Sequence, residues 1–465
     1  MNKTREIGHK LKKYIPKKIY TMILWILFDR DIKQLCRHRK MVKKTDEINE
    51  KNCKRIAEKK KIRIAFLFGS SSYWTGDTLF ELFRADKRFE PYVIVVPFFN
   101  GTDSSVYHEY KRTVKFFYEK NIKVIGTAKD KSMKKNKNYK ECGSPDIVFV
   151  ANPYVTNYPK EWKPSHLPIS VLSFYIPYGF LLADIPNSQF NNKESHHLFW
   201  KIFCETEITK KMFKKYSEIG DRNVVFSGYP KMDIFYDDKE VDNDTDVKKD
   251  IWKGKKDAKR IIFSPHHSIK MEDSGLQHST FLDNYKFILE MAKKYSDTTS
   301  WIFRPHPLLE KACYYAGVFK SPEEWNAFLN EWRTLDNCVV QISGDYSEAF
   351  KTCDAIINDS VSYMAEILYV HKPMLYLKSN KATFNDLGRS LEKVHYSCSG
   401  DDLEKIEEFI KMVLDERDPM FEKREEYFSK YMDYKSTNGI VASQYIYDYI
   451  NKALAKQKGD IDEFL

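Results

Sequence analysis

The chain has 465 residues, 77 Lys and Arg against 66 Asp and Glu, a formal net charge of +11, and 42% hydrophobic residues with 15% aromatics. That length implies two or three domains, and that apolar content fills their cores, which excludes a disordered or low-complexity protein. The eight cysteines are scattered with no C-x-x-C pair, which argues against a thiolate zinc site or a disulfide scaffold and fits a reducing cytoplasm.

The charge is concentrated at the start. Residues 1–60 hold 19 Lys and Arg against 7 Asp and Glu, so the remainder is close to neutral. Inside this arm runs an apolar stretch from Tyr20 to Phe28. It is too short to span a bilayer, which takes about 20 apolar residues. Lys10, Lys12, Lys13, Lys17 and Lys18 precede it, and Arg37, Arg39 and Lys40 follow. The pattern reads as an interfacial anchor on anionic lipid, which would place the protein peripherally on the cytoplasmic face of the membrane. A helix packed on the body is the alternative. No nucleic-acid module is recognisable, so no nucleic-acid partner is expected. No small-residue cleavage pattern of a secretory signal follows the apolar run.

Beyond the arm the chain alternates strands and helices. Ile62–Phe68 is a buried-strand pattern ending at Gly69-Ser70-Ser71-Ser72, and a helix is expected near Thr78–Arg84. Strands at Tyr92–Val96, Ile122–Ile125 and Ile147–Val150 and a helix at Tyr107–Glu119 continue the rhythm. The Gly69 loop lacks G-x-G-x-x-G spacing; Ser71 and Trp74 either line an acceptor site or form a simple turn. A polar, charged segment over 236–259 reads as an inter-domain linker or surface excursion. The alternation then restarts with strands at Arg260–Phe263, Ser300–Phe303 and Cys338–Gln341 and helices at Phe281–Tyr295 and Pro322–Leu335. Residues 401–465 are helical by spacing. Such alternation predicts parallel, doubly wound sheets.

The chemistry gathers at strand ends. Val224-Val225-Phe226 leads to Gly228-Tyr229-Pro230-Lys231-Met232-Asp233, and Ile261-Ile262-Phe263 to Ser264-Pro265-His266-His267-Ser268. Trp301-Ile302-Phe303 leads to Arg304-Pro305-His306-Pro307. Ala355-Ile356-Ile357 breaks at Asn358-Asp359-Ser360 and continues as a helix pattern with Met364, Ile367 and Leu368 on one face. Ligands of open parallel sheets bind at such ends, and free N–H groups at a helix start, with Ser360 and Ser362 hydroxyls and a nearby Arg304, suit a phosphate or diphosphate.

The ordered set resembles the CDP-glycerol glycerophosphotransferase family, which makes or primes teichoic-acid-like polymers. That family carries a TDYSSVMFDFA…KP segment; here Asn358-Asp359-Ser360-Val361-Ser362-Tyr363-Met364-Ala365-Glu366 precedes Lys372-Pro373. Its Gly-Tyr-Pro-Arg-x-Asp element matches Gly228 to Asp233, with Lys231 for Arg, and its Arg-x-His matches Arg304 and His306. The resemblance spans roughly residues 61–377 and implies a GT-B fold: two doubly wound Rossmann-type domains with a central cleft. The domains expected are an arm at 1–60, an acceptor domain at 61–235, a linker at 236–259, a nucleotide-donor domain at 260–400, and helices at 401–465 that cross back onto the first domain.

The candidate donor site is Arg304, Asp359, Ser360, Ser362, Glu366, Lys231 and Asp233; Glu366 either holds the nucleotide ribose or only caps or pairs on its helix, and Asp233 either touches ligand or stabilises a turn. An acceptor side is expected at Ser71, Trp74, Tyr175, Tyr178 and Gly179. His306 is the candidate acid or base, unless a His between prolines only shapes a turn. One element departs. Where the family has a His-Gly-Thr-Pro base, this chain reads Ser173-Phe174-Tyr175-Ile176-Pro177-Tyr178-Gly179. Tyrosine, with an ordinary pKa of about 10, is a poor base. His266 or His267 is the candidate replacement, or the reaction differs. The carboxylates at these strand ends form no Asp-x-Asp pattern that calls for a metal, and no cofactor is expected beyond a CDP-linked donor as substrate. The expected function is transfer of glycerol phosphate, or another polyol phosphate, to a lipid-linked or glycan acceptor. A GT-B glycosyltransferase for a surface glycan and a non-catalytic nucleotide-binding protein are the alternatives.

Overall fold

The computed structural model describes residues 43–99, 103–152, 157–193, 195–236, 251–270, 276–342 and 344–455. The apolar stretch Tyr20–Phe28 and most of the charged 236–259 segment lie outside them. Among the described residues no helix is long and apolar enough to cross a membrane.

Two parallel sheets organise the chain. The first holds β1 (Ile62–Phe68), β2 (Phe89–Val95), β3 (Val124–Gly126), β4 (Ile147–Val150), β5 (Leu172–Tyr175), β6 (Lys201–Cys204) and β7 (Val224–Phe226) in the order β3-β2-β1-β4-β5-β6-β7. The second holds β8 (Lys259–Ser264), β9 (Thr299–Phe303), β10 (Cys338–Val340), β11 (Ala355–Asn358), β12 (Met374–Lys378) and β13 (Tyr396–Ser399) in the order β10-β9-β8-β11-β12-β13. Every ladder is parallel; Ile262, for example, lies between Ile302 of β9 and Ile356 of β11. Nearly continuous apolar runs such as Ile64–Phe68 are fully buried, as strands covered by helices on both faces require.

Alternation along the strands divides the core. Ile262, Ile302 and Ile356 join the core that runs from the first sheet through the contact between the halves, whereas Ile261, Trp301 and Ile357 point into a second core under the outer helices. The described end of the basic arm is part of the body. In a helix over 43–57, Cys53, Ile56 and Ala57 are buried, Asn52 donates to the Ile169 carbonyl (2.7 Å), and Lys59 just beyond it pairs with buried Asp146 (2.6 Å). The choice between membrane anchor and packed helix concerns Tyr20–Phe28, which lies outside the described residues.

The C-terminal helices cross back onto the first sheet's layer. α1 (Ala442–Ala455) packs Tyr447 on Phe83 at 5.3 Å, and the Tyr447 hydroxyl donates to Asp86 (2.8 Å). The crossing is fixed at Asp233, whose buried carboxylate accepts from the Tyr434 hydroxyl (2.6 Å) and from the Ala442 (3.0 Å) and Ser443 (2.8 Å) N–H groups at the start of α1. Asp233 therefore serves as a helix cap, with both oxygens engaged inside the protein.

Candidate functional site

The second sheet reverses the direction of its connections between β8 and β11. The crevice outside the carboxyl ends at such a switch point is where open α/β sheets take ligands. The residues after β8, β9, β10 and β11 meet there. The His266 N–H donates to Asp359 Oδ1 (2.5 Å), and the His306 N–H to the Pro265 carbonyl (3.0 Å).

Asp359 works inward. Besides His266 it accepts from the Thr280 N–H (2.6 Å) and hydroxyl (3.2 Å), tying the loop after β8 to the helix that begins at Phe281. Burial raises its pKa to about 7 in spite of these bonds. Its oxygens brace the crevice instead of facing a ligand. The turn beyond it is half-buried and bridged by Asn358, which accepts from the Ser360 N–H (2.9 Å) and donates to the Ser360 carbonyl (2.6 Å).

The helix expected after this turn is shorter than its apolar spacing predicts. An α-helix covers only Tyr363–Glu366, a 3-10 turn covers Ile367–Val370, and His371 stops it in a left-handed conformation (φ 57°) two residues before Pro373. So short a helix adds little dipole, and anion binding must rest on the side chains around it.

Those side chains are largely imidazoles. The rings of His266 and His267 lie 4.3 Å apart, His267 and His306 stack at 4.1 Å, and buried His278 stands 6.0 Å from His266. Burial lowers all four pKa values: His267 and His278 to about 4, His306 to about 3, and His266, helped by its neighbours, well below the usual range. The cluster is therefore neutral near pH 7. The hydrogen-bond network assigns two tautomers. His306 Nδ1 accepts from the Leu308 N–H (3.1 Å). His266 Nδ1 meets Ser268 Oγ at 2.7 Å; that oxygen already accepts from the His278 and Ser279 N–H groups, so its own proton points at the ring. An imidazole accepting at Nδ1 carries its proton on Nε2. His267 differs, because its Nδ1 is buried without a partner.

Nitrogens of His266, His267 and His306 lie within 4.8 Å of one another, close enough to suggest a metal. Yet His266 and His306 spend their Nδ1 lone pairs inside the protein and carry their protons on Nε2, so of the three only His267 has a buried nitrogen without a partner. The arrangement suits an oxyanion better than a cation.

Beside the imidazoles sits a cationic and aromatic group. Arg304, 9% exposed, donates to Tyr363 Oη (3.3 Å), Gln341 Oε1 (3.1 Å) and the Gly344 carbonyl (2.7 Å). Its guanidinium carbon is 5.1 Å from the centre of the Tyr346 ring, and Lys231 Nζ is 4.3 Å from the same centre. The Tyr346 hydroxyl donates to buried Glu366. Arg304 is thus braced by protein groups. Spacing did not mark Tyr346, Tyr363 or His278; the polar triplet Gly344-Asp345-Tyr346 after β10 is the same strand-end signal that marked the others.

The first half contributes less than expected. Trp74 is a core residue, packed on Phe68 (5.2 Å) and Phe117 (5.0 Å). Tyr175 is fully buried and stacked on Phe199 (5.5 Å). The Ser71 N–H donates to Thr113 Oγ1 (3.1 Å), which binds its loop to the helix Asp103–Glu119. Tyr178 stays half-exposed against Tyr73 (4.6 Å). Next to it a Cβ on Gly179 would lie 3.7 Å from Ser362 Cβ, so the loop after β5 meets the turn after β11 across the cleft. Gly179, expected on the acceptor side, and Ser362, expected at the donor, lie far apart in sequence and are brought together.

Two facing doubly wound sheets, with imidazole N–H groups, serine hydroxyls and paired cations at the switch point, define a GT-B-type transferase. The chain belongs to the family described as CDP-glycerol:poly(glycerophosphate) glycerophosphotransferase, whose model matches residues 184–452, more than half its length. It is accordingly a CDP-glycerol glycerophosphotransferase-like transferase. No curated protein matches it in sequence. Among solved structures it is similar to the wall teichoic acid polymerase TagF (15% identity, 96% of this chain and 100% of that one, TM-score 0.55). It is also similar to UDP-bound MnaA of S. aureus (17% identity, 87% and 100%, TM-score 0.52). A third is the UDP-GlcNAc 2-epimerase of Neisseria meningitidis bound to UDP-GlcNAc (16% identity, 84% and 100%, TM-score 0.51). At these identities the likeness concerns the fold.

Proposed function

We propose that the chain transfers glycerol phosphate, or a related polyol phosphate, from a CDP-linked donor to a lipid-linked or glycan acceptor at the cytoplasmic face of the membrane. The observation that carries this reading is the pair of imidazoles, His266 and His306, whose Nδ1 atoms are engaged so that their protons lie on Nε2, on loops tied through the His266 N–H to Asp359, the residue before Ser360. Fixed donors stabilise charge developing on a diphosphate leaving group at little reorganisation cost. Family membership and a TagF structure soaked with CDPG support the cytidine donor.

In this reading the donor diphosphate lies between Ser360, Ser362 and the imidazoles, and Glu366 accepts from the ribose. An acceptor hydroxyl attacks the distal phosphorus, the bond from that phosphorus to the bridging oxygen breaks, and CMP leaves. The acceptor proton passes to His267 Nδ1, the buried ring nitrogen with no partner. Burial keeps that ring weakly basic in the free protein, and an adjacent diphosphate raises its pKa again.

The test is calorimetry of the full chain against CMP, CDP, UDP and GDP, followed by turnover of CDP-glycerol by wild type and His267→Gln. Cytidine preference, with turnover lost but CDP binding kept in the variant, is expected. Preference for UDP or GDP would instead support the glycosyltransferase reading, which the loop without His at Tyr175–Gly179 favours.

A further inference from the structure

Tyr346 connects three groups that no spacing rule links. It sits after β10 and just before the short helix Ser347–Thr352, and is 7% exposed. Its hydroxyl donates to Glu366 Oε2, and its ring lies under Lys231 Nζ (4.3 Å) and near the Arg304 guanidinium (5.1 Å). Lys231 comes from the segment after β7, in the first half; Arg304 and Glu366 come from the second. Tyr363 packs on the same ring at 5.1 Å, and Phe350 at 4.8 Å, so the ring cannot turn freely.

We infer that Tyr346 is a positioning residue that holds the Glu366 carboxylate for the two hydroxyls of a nucleotide ribose and, through Lys231, ties that pose to the meeting of the two halves. This rests on the donor reading above, to which it adds the ribose-selecting device. With Oε2 held by the phenol, Oε1 is the oxygen left for the ribose, and the carboxylate turns less freely. A carboxylate fixed before ligand arrives loses no side-chain freedom on binding, so the ribose bond contributes more fully to affinity. The aromatic face also gives Lys231 a seat close to Glu366. Burial lowers the Lys231 pKa, and Glu366 and Asp345 oppose that. Its ammonium is held at the seam by the ring and the two carboxylates together.

The experiment compares CDP with its 2′,3′-dideoxy analogue on wild type, Tyr346→Phe and Tyr346→Leu, by calorimetry on the full chain, with a thermal melt of each variant as a folding control. Wild type is expected to prefer CDP by about 10- to 100-fold, the range for hydrogen bonds to a charged group. Tyr346→Phe keeps the ring and loses the hydroxyl, so the preference should fall several-fold while the dideoxy analogue binds as before. Tyr346→Leu should show the same fall in preference and in addition bind both ligands more weakly than Tyr346→Phe, because Lys231 and Arg304 also lose their ring. A well-folded Tyr346→Phe that keeps the full preference overturns the positioning role and leaves the donor reading intact. Failure of wild type to bind any cytidine nucleotide would overturn both.

Discussion

The Tyr434 ring lies directly on the Cα of Gly228. A Cβ at position 228 would fall inside that ring, and Gly228 also holds φ at 85°, a conformation costly for any other residue. The same tyrosine donates its hydroxyl to Asp233. The glycine and aspartate of one six-residue element thus receive the C-terminal strap. Gly228→Ala should destabilise the protein by about 2–4 kcal/mol through overlap and backbone strain. Urea unfolding of the variant measures this, and a loss under 1 kcal/mol would show that the strap can move aside.

Ser362 and Arg304 should behave differently, although both belong to the expected donor site. Ser362 is half-buried and has no side-chain bond to the rest of the protein among the described contacts, so Ser362→Ala should leave the melt unchanged and weaken CDP binding by about three- to tenfold. Arg304 braces Tyr363, Gln341 and Gly344. Arg304→Ala should lower stability by about 1–2 kcal/mol as well as affinity, because half-buried Tyr363 and Gln341 each lose a charged partner. Paired calorimetry and melting separate the two cases.

Glu205, at the end of β6, should make stability depend on pH. It is 1% exposed, its Oε2 has no hydrogen-bond partner, and burial raises its pKa to about 7. A carboxyl with a folded pKa above its unfolded value contributes stability that is complete below the unfolded value, near 4.5, and is lost as pH rises towards the folded value, near 7. Buried His267 and His306, with folded values of about 4 and about 3, act oppositely and cost stability as pH falls below their unfolded value. Wild type minus Glu205→Gln isolates the carboxyl. The variant should gain on wild type between pH 5 and 8, by up to about 3 kcal/mol. Parallel stability curves would mean that Glu205 ionises freely when folded.

Deleting residues 1–42 should release the protein from anionic vesicles while leaving its melt intact, because the helix over 43–57 is buried on the body and stays in place. Flotation with phosphatidylserine vesicles checks the first half, and retention of the truncated chain would place the membrane contact elsewhere. A cut at residue 60 would remove Ile56 and the Lys59–Asp146 pair and lower stability for an unrelated reason.

Much of the frame was legible in the sequence because long apolar runs bounded by polar turns have few other uses. Ile62–Phe68, Ile147–Val150 and Val224–Phe226 stand where their patterns put them. Strands β5 and β6 were harder, being four residues each in stretches rich in Pro, Tyr and polar residues. Strand ends pointed to His266, His306 and Ser360 because a parallel sheet exposes its chemistry there. The same rule cannot say whether a side chain turns towards ligand or protein. Asp359 and Asp233 turned inward, where unpaired N–H groups needed acceptors, and Trp74 and Tyr175 went to cores whose aromatic partners lie distant in sequence. Tyr346 stayed hidden because its meaning comes from Lys231, Arg304 and Glu366, which only the fold assembles.

The contact between Gly179 and Ser362 has a kinetic consequence. The seam is too narrow there for a large side chain, since even a Cβ at position 179 would stand 3.7 Å from Ser362 Cβ. If donor binds at the Ser360–Ser362 turn, as proposed, its entry and the exit of CMP both pass this seam and call for the halves to part. Turnover in such a scheme is set by reopening instead of chemistry, as in many enzymes that close on their substrates. A side chain at position 179 that props the seam ajar should then hasten release of CMP while slowing the transfer itself.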